Sequence, residues 1–516
     1  MYVATCGRAF RAHASRVRMN EPAPNETPSS EGSDLGQRAR RGAILSVLGY
    51  GGGRLLALIS NPLISYFIVP AVRGLMELVN PLVIGFELLS DLGLGPAIVQ
   101  NKRGADADFT DVAWTIQVIR GLTLWVAVCI GAVPYAMAMG HEELVYVLPV
   151  AGLAAVATGF TSTKVYTASR ELVLGRLTAI ELGSQVAGFV VKVVWAWLSP
   201  TVWSLVMGGL AIQFAKMILS HVALPGRVNR LRWDPLVAKE LVRFGRWVFL
   251  STLLTFLTGY ADRWIFGAMI PLAVLGLYGN AVVLASLPME ALSHVSRQVV
   301  FPLYARVVHA GDDLRPVFRR ARLPIQILGG WALCGLIAGG PTAMRLLWEE
   351  SWWGSGWMIQ ILAASSWFLV CEATNGAAML ARGEPQWVAA GSFAKLLAMI
   401  VLIPVGYAIA GFPGALVAFA GTELFRYAIS LWGVSRVGLD AKGLDALLTL
   451  VVGVVGVVVW QVAERLREWG IPVGIEAAVV AILVTLCWAP VAWKPMSRML
   501  RSRRGEAAST TLAPAE

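Results

Sequence analysis

Apolar residues in this chain gather in runs of about twenty, split by short polar breaks. The runs lie near 43–68, 76–99, 112–138, 143–162, 172–196, 201–224, 246–268, 277–296, 324–343, 355–380, 388–409, 413–433, 446–463 and 471–493. A helix of that length, rising 1.5 Å per residue, crosses a hydrocarbon core of roughly 30 Å. The pattern predicts an all-α fold, a polytopic integral membrane protein of about fourteen transmembrane helices. Residues 1–40 are polar and carry the stretch Glu21-Pro-Ala-Pro-Asn-Glu-Thr-Pro-Ser-Ser-Glu31, which buries too little apolar surface to order itself. They read as a disordered cytoplasmic tail with no apolar h-region of a signal peptide, and Met19 is an alternative start.

Composition excludes an ordinary soluble protein, because 57% of the 516 residues are hydrophobic and only 15% charged. The cysteines Cys6, Cys129, Cys334, Cys371 and Cys487 are scattered singly, so no disulfide framework or C-x-x-C metal or redox pair is expected. The net charge of +11 would suit nucleic acid, but its placement speaks against that partner. With the N-terminus inside, the inside segments hold 31 Lys and Arg and the outside loops four (Arg73, Arg345, Arg465 and Arg467). Basic residues are retained on the cytoplasmic side during insertion, so this asymmetry predicts an even number of spans with both termini cytoplasmic.

A turn of the form P-x(3,4)-G-L recurs in Ile68-Val-Pro-Ala-Val-Arg-Gly-Leu75 and Ile270-Pro-Leu-Ala-Val-Leu-Gly-Leu277, at the corresponding place in each half. It predicts two pseudo-symmetric six-helix lobes, 41–224 and 246–440, joined by a basic cytoplasmic linker at 225–245. An extra helix pair at 441–493 and a basic cytoplasmic tail at 494–516 follow. Such a layout suits transporters that alternate access between lobes. The cytoplasmic loops near 225–245 and 297–323 are basic and expected to lie against anionic headgroups. No outside loop exceeds roughly fifteen residues, which leaves no room for a catalytic domain and argues against an enzyme.

Ionisable groups at membrane depth cost at least about 2.5–3.5 kcal/mol each, so those inside the runs mark a polar interior. The basic ones are Arg54, Arg120, Arg176, Lys192, Lys216, Arg263, Lys395 and Arg426, with Arg297 at the end of the eighth run. The acids are Glu87, Asp91, Glu181, Asp262, Glu290, Glu372 and Glu423. On helices, residues three, four, seven or eleven apart share a face. Glu87 and Asp91 pair in this way, Glu290, His294 and Arg297 form a ladder, Glu181 and Lys192 align, and Glu423 and Arg426 are neighbours. The expected site is a hydrated cavity in which the cations bind substrate and the acids carry a coupling proton or sodium ion; no other cofactor and no metal are expected.

Other constellations carry less. Gly49-Tyr-Gly-Gly-Gly-Arg54 lacks the G-K-[ST] ending of a phosphate loop and reads as helix packing. Asp106-Ala-Asp108 has a D-x-D spacing without an adjoining catalytic domain. Trp348, Trp352, Trp353 and Trp357 read as an interfacial belt, with a sugar-stacking platform as the alternative.

Several strings together resemble a known family. They are Leu89-Ser-Asp-Leu-Gly-Leu-Gly-Pro-Ala-Ile-Val-Gln100, Ala113-Trp-Thr-Ile-Gln-Val-Ile-Arg-Gly121, Phe244-Gly245, Asp262-Arg-Trp-Ile-Phe-Gly267, Leu275-Gly-Leu-Tyr278, Pro288 and Phe301-Pro302. The family is that of the polysaccharide exporters, or O-antigen-type flippases, in the superfamily that also holds multidrug antiporters and peptidoglycan-precursor flippases. The resemblance runs from about residue 40 to 440. It implies two six-helix lobes that move an undecaprenyl-diphosphate-linked oligosaccharide outward across a bacterial inner membrane. It gives most weight to Asp262, Arg120 and the acids Glu87 and Asp91. Membrane lipids, a polysaccharide polymerase and glycosyltransferases are the implied partners. A multidrug-type small-molecule antiporter and a membrane-embedded polymerase or ligase are the alternatives.

Overall fold

The computed structural model describes Gly49 and residues 51–90, Ile98, Gly104, 106–171 and 173–510. Asp91, Cys6, the side chain of Glu87, most of the 89–100 string and the 1–40 tail lie outside the described residues. The described chain is helical, with no strand among the described residues. Nine of its helices are long and apolar enough to cross a membrane, or ten if one bent pair counts as a single span. The protein is a multi-pass membrane protein.

The helices are α1 (51–65), α2 (Pro70–Ser90), α3 (Ala107–Met139), α4 (Leu144–Ala151), α5 (Leu153–Phe160), α6 (Lys164–Arg170), α7 (Leu174–Leu198) and α8 (Val202–Val222). The second half holds α9 (Pro235–Gly267), α10 (Leu272–Val295), α11 (Phe301–Ala310), α12 (Leu314–Leu347), α13 (Gly356–Ala381), α14 (Gln386–Arg436), α15 (Lys442–Glu468) and α16 (Val473–Thr510). A π-helical turn, Ser296–Val300, joins α10 to α11, and a 3-10 turn, Glu350–Ser355, precedes α13. The expected spans 388–409 and 413–433 are one 51-residue element, α14, broken where Gly411 takes φ 61°. Glycine reaches that region without a Cβ penalty, so the helix turns there without a loop.

Sequence neighbours pack within each half, α7 on α8 and α12 on α13 and α13 on α14, while α2 crosses to pack along α10 and α9. The crossing is a backbone contact. A Cβ on Gly74 would lie 1.8 Å from the Leu272 carbonyl oxygen, and one on Gly276 would lie 1.9 Å from that of Pro70. These glycines belong to the repeated turns, and small residues let membrane helices approach this closely. Around the contact runs an apolar core drawn from both halves, including Ile64, Ile68, Leu75, Leu78, Val206, Leu275, Tyr278 and Trp352. The two halves are therefore closed at the end that carries the turns.

At the other end two expectations change. The basic segment 297–323 is no loop: the unit Leu272–Ala310 is 39 residues, about 58 Å at 1.5 Å per residue, well beyond a core of roughly 30 Å. Gly311 at φ 76° caps it, α12 returns, and Tyr304, Leu314 and Phe318 are buried together, so the segment is a helical hairpin. The 225–245 linker is also partly helical, because Pro235 opens α9 and the Asp234 carboxylate accepts from Leu236 N–H at 2.8 Å.

The bent pair is the α4–α5 stretch with α6, turned by 54°. Its freed backbone groups find partners from distant parts of the chain. Gln117 donates to the carbonyls of Thr158 (2.9 Å), Gly159 (3.2 Å) and Thr161 (3.1 Å). The Asn229 carbonyl accepts from the Ser162 hydroxyl (2.6 Å) and the Thr163 N–H (3.2 Å), and its amide donates to the Thr163 hydroxyl at 2.6 Å.

The terminal helices α15 and α16 lean on α12. Arg322, fully buried, donates to the Asp445 carboxylate at 2.7 and 2.9 Å, with Gln326 and Tyr427 each adding a bond of 2.7 Å. Nearer the closed end Glu476 accepts from Thr342 at 2.6 Å and Arg467 at 2.9 Å.

Substituting Gly74→Val forces two backbones apart, and overpacking of this kind costs about 1–3 kcal/mol. The purified variant is expected to unfold at lower temperature than wild type by intrinsic fluorescence in detergent. Gly335→Ala, at a position with open space around its Cβ, is expected to match wild type.

Candidate functional site

Between the halves, away from the closed end, two polar cavities meet at Arg54. The first, ≈ 770 Å³, lies between α1 and α7 and is lined by Arg54, Glu181, Gln185 and Lys192. The second, ≈ 440 Å³, lies in the other half and is lined by Asp262, Arg263, Glu290, Arg297, Lys395 and Glu423, with Arg54 again. A third, ≈ 280 Å³, lies behind the first and holds Arg73, Glu77 and Lys192. Lys192 thus borders two cavities and Arg54 two.

The local sequence explains the walls. Glycines bring α1 close to α7: a Cβ on Gly49 would meet Thr178, and one on Gly53 would lie 2.6 Å from the Gln185 amide oxygen. The Gly49–Arg54 string is a packing surface that carries Arg54 to the cavity. Glu181 and Lys192, eleven residues apart, line the same cavity, as their spacing predicts. Glu290, His294 and Arg297 line the second together, although the π turn at 296–300 shifts the helical register beneath Arg297.

Nearly every charge in these walls has a partner. Arg54 pairs with Glu290 across the two halves, Lys216 with Glu181 at 2.8 Å, and Lys395 with Glu423. Arg263 bridges three groups: the Asp262 carboxylate at 3.0 Å, Glu77 of α2 at 3.3 Å, and the Tyr260 ring 5.0 Å from its guanidinium carbon. Tyr278 donates to Asp262, and Arg73 stands 3.7 Å from Glu77. Two cations remain. Among the described residues, Lys192 and Arg297 line the cavities without an ion pair, one on each half.

Other expected site residues lie elsewhere. Arg120 sits on α3 and lines none of the cavities just described. Glu372 and Arg426 pair at 2.8 Å between α13 and α14, while Glu423, the sequence neighbour of Arg426, pairs with Lys395. Asp108 pairs with Arg232, which gives the D-x-D string a structural partner. Of the tryptophan cluster, Trp348 and Trp352 are buried in the core at the closed end, while Trp353 is exposed and Trp357 half-buried. Glu77 and Arg73, absent from the expected set, hold the centre of the interface. Their i, i+4 spacing was visible, but a run counted from residue 76 left Arg73 in a loop, whereas Pro70 starts the helix.

Residues 63–355 match the family described as "Polysaccharide biosynthesis protein". The chain belongs to that family. Among curated members of polysaccharide pathways, it is 21% identical over 304 residues to the teichuronic acid biosynthesis protein TuaB of Bacillus subtilis (strain 168), spanning 58% of this chain and 62% of TuaB. It is 21% identical over 382 residues to the lipopolysaccharide biosynthesis protein WzxC of Escherichia coli (strain K12), spanning 73% of this chain and 77% of WzxC. Among solved structures, the inward closed form of the lipid II flippase MurJ superposes with a TM-score of 0.67 at 10% identity, covering 88% of this chain and 99% of MurJ. An inward-facing multidrug resistance transporter superposes at 0.59 with 15% identity, covering 75% and 94%. This polysaccharide biosynthesis protein therefore has the fold of those transporters.

The pairing separates two classes of charge by stability. Asp445→Ala orphans a buried guanidinium, a loss of about 3–5 kcal/mol, and is expected to lower the unfolding temperature sharply. Lys192→Gln removes a cation that holds no ion partner and is expected to leave that temperature near wild type. Both are read by thermal unfolding of the purified protein.

Proposed function

We propose that this protein is a flippase that carries an undecaprenyl-diphosphate-linked oligosaccharide from the cytoplasmic to the outer leaflet of a bacterial inner membrane. The observation that carries the reading is the charge balance of the cavities. Each acid in their walls is matched by a cation, and Lys192 and Arg297 are left over. An unpaired cation at membrane depth is costly, so the cavity that holds Lys192 is built to receive an anion, and Arg297, exposed and far along the helix from the closed end, adds positive charge to the second cavity. A diphosphate offers charge and several acceptor oxygens, and hydrogen bonds to charged groups each contribute about 1.5–3 kcal/mol.

In this reading the lobes are 41–224 and 246–440, the termini and the cavity mouth face the cytoplasm, and the closed end faces outward. The diphosphate and sugars enter the cavities while the prenyl tail stays in lipid. The Arg54–Glu290 pair ties the halves on the cavity side, so its strength sets how readily that side closes and reopens. A proton or sodium ion taken up at Glu290 would weaken that pair, which gives gradient coupling a place to act. The cargo shifts the equilibrium only insofar as it binds the two states unequally. Membrane lipids surround the protein, and a polymerase and glycosyltransferases would act after and before it. It carries no catalytic role of its own.

A multidrug-type antiporter taking cations would need an unpaired acid, and the acids lining the described cavities are all paired. That favours the anionic cargo.

Leaflet-specific labelling of the lipid-linked oligosaccharide in a depleted cell tests the reading. Accumulation on the cytoplasmic leaflet is expected, reversed by the wild-type chain. Lys192→Gln and Arg297→Gln are each expected to slow translocation by about tenfold or more, the loss of one charge-assisted bond, at unchanged protein level. Normal arrival at the outer leaflet in depleted cells would overturn the flippase reading, and export of cationic dyes would put the antiporter in its place.

A further inference from the structure

We propose that Trp352 is a latch on the outward closure, a residue that must withdraw from the opposite half before the protein can open to that side. The inference rests on the alternating-access reading above, and its test does not use the cargo.

Trp352 sits in the 3-10 turn Glu350–Ser355 between α12 and α13, in the C-terminal half. Its indole is 2% exposed, and its Nε1–H donates to the Ser65 carbonyl at the end of α1 at 3.2 Å. Ser65 belongs to the N-terminal half, so a loop of one half inserts its largest side chain into the other. Ser65 closes the last turn of α1, where helix carbonyls lack intrahelical donors, and the indole N–H supplies one.

The loop is built to hold that ring and also to let it go. The Trp353 indole donates to the Trp348 carbonyl at 3.1 Å, and the Arg345 guanidinium lies 5.8 Å from the Trp353 ring, so these neighbours anchor the loop to its own half. The Glu349 carboxylate accepts from the Ser351 N–H at 3.0 Å and from the Ser351 hydroxyl, which hold it below the usual carboxylate range and cap the turn. A single 3-10 turn has poorer hydrogen-bond geometry than an α-helix, so it can move without unfolding one. Gly354 and Gly356 let the turn lie close to Leu277 and Pro341 of its own half, where a Cβ would sit at 3.1 and 2.7 Å.

The indole bond to Ser65, in the apolar core that Trp352 shares with Ile64 and Ile68 of the N-terminal half, is lost when the outer ends separate. Removing the ring destabilises the closed state more than the open one, which is the condition for a population shift.

The test is a spin-label distance measurement on the full chain. Tyr146→Cys and Trp469→Cys place labels on exposed positions of the two halves near the closed end. Cys6, Cys129 and Cys487 are replaced by serine, and Cys334 and Cys371 stay buried. Trp352→Ala is expected to raise the population at longer distance by about tenfold or more relative to wild type, equivalent to about 1.4 kcal/mol. Trp352→Phe keeps an aromatic plug without the N–H donor and is expected to give a smaller shift in the same direction. A wild-type distribution for Trp352→Ala, in protein that elutes as one species with normal helical content, would overturn the latch. Should that variant not fold, an unshifted Trp352→Phe distribution would overturn it. The flippase reading can fail in the labelling experiment while the latch stands, and the reverse also holds.

Discussion

The approach of α2 to α10 is the constraint on which the rest of the molecule depends. Two glycines place peptide units of opposite halves in direct contact, where any side chain would hold them apart. Lipid gives no hydrophobic drive for helices to associate, so close packing of this kind supplies the attraction. The contact lies to one side of the middle of the helices, and the halves diverge beyond it. The cavities are the space left by that divergence, and the Arg263–Glu77 pair sits where contact gives way to cavity.

Charge pairing then decides what the cavity is. Acids and bases alternate across its walls so that lowering a water-rich cleft into the membrane leaves few groups without compensation. The compensation is local within each half for Lys216–Glu181 and Lys395–Glu423, and it crosses between halves for Arg54–Glu290 and Arg263–Glu77. The first kind fixes the shape of a wall. The second kind makes the relative position of the walls a matter of electrostatics.

Much of this was legible in the sequence, because a helix in lipid satisfies its backbone internally and leaves apolar length and helical spacing as reliable signals. The runs announced the all-α membrane fold, and Glu181 with Lys192 announced a shared face. Pairing across elements was not legible: nothing in the sequence says that Lys395 meets Glu423 and that Arg426, three residues on, turns to Glu372. Composition alone misled for Trp352, since a tryptophan beside a loop suits an interface as well as a core. Arg322 and Asp445 were set in loops by boundaries a few residues short, and both are buried. Hydropathy marks where a helix becomes apolar, and a buried ion pair lies outside that signal.

The break between α5 and α6 has a consequence for how the chain is made. Its stray carbonyls are answered by Gln117, which precedes it, but its hydroxyls and one N–H are answered by Asn229, which follows by more than sixty residues. During synthesis the earlier partner is already present when the break emerges, and the later one is not. The first half therefore cannot finish its own hydrogen bonding from its own helices; it waits for the segment that leads into the second. A linker of this kind is a component of the first folding unit, and a fragment cut at the last helix of that unit would carry an open seam.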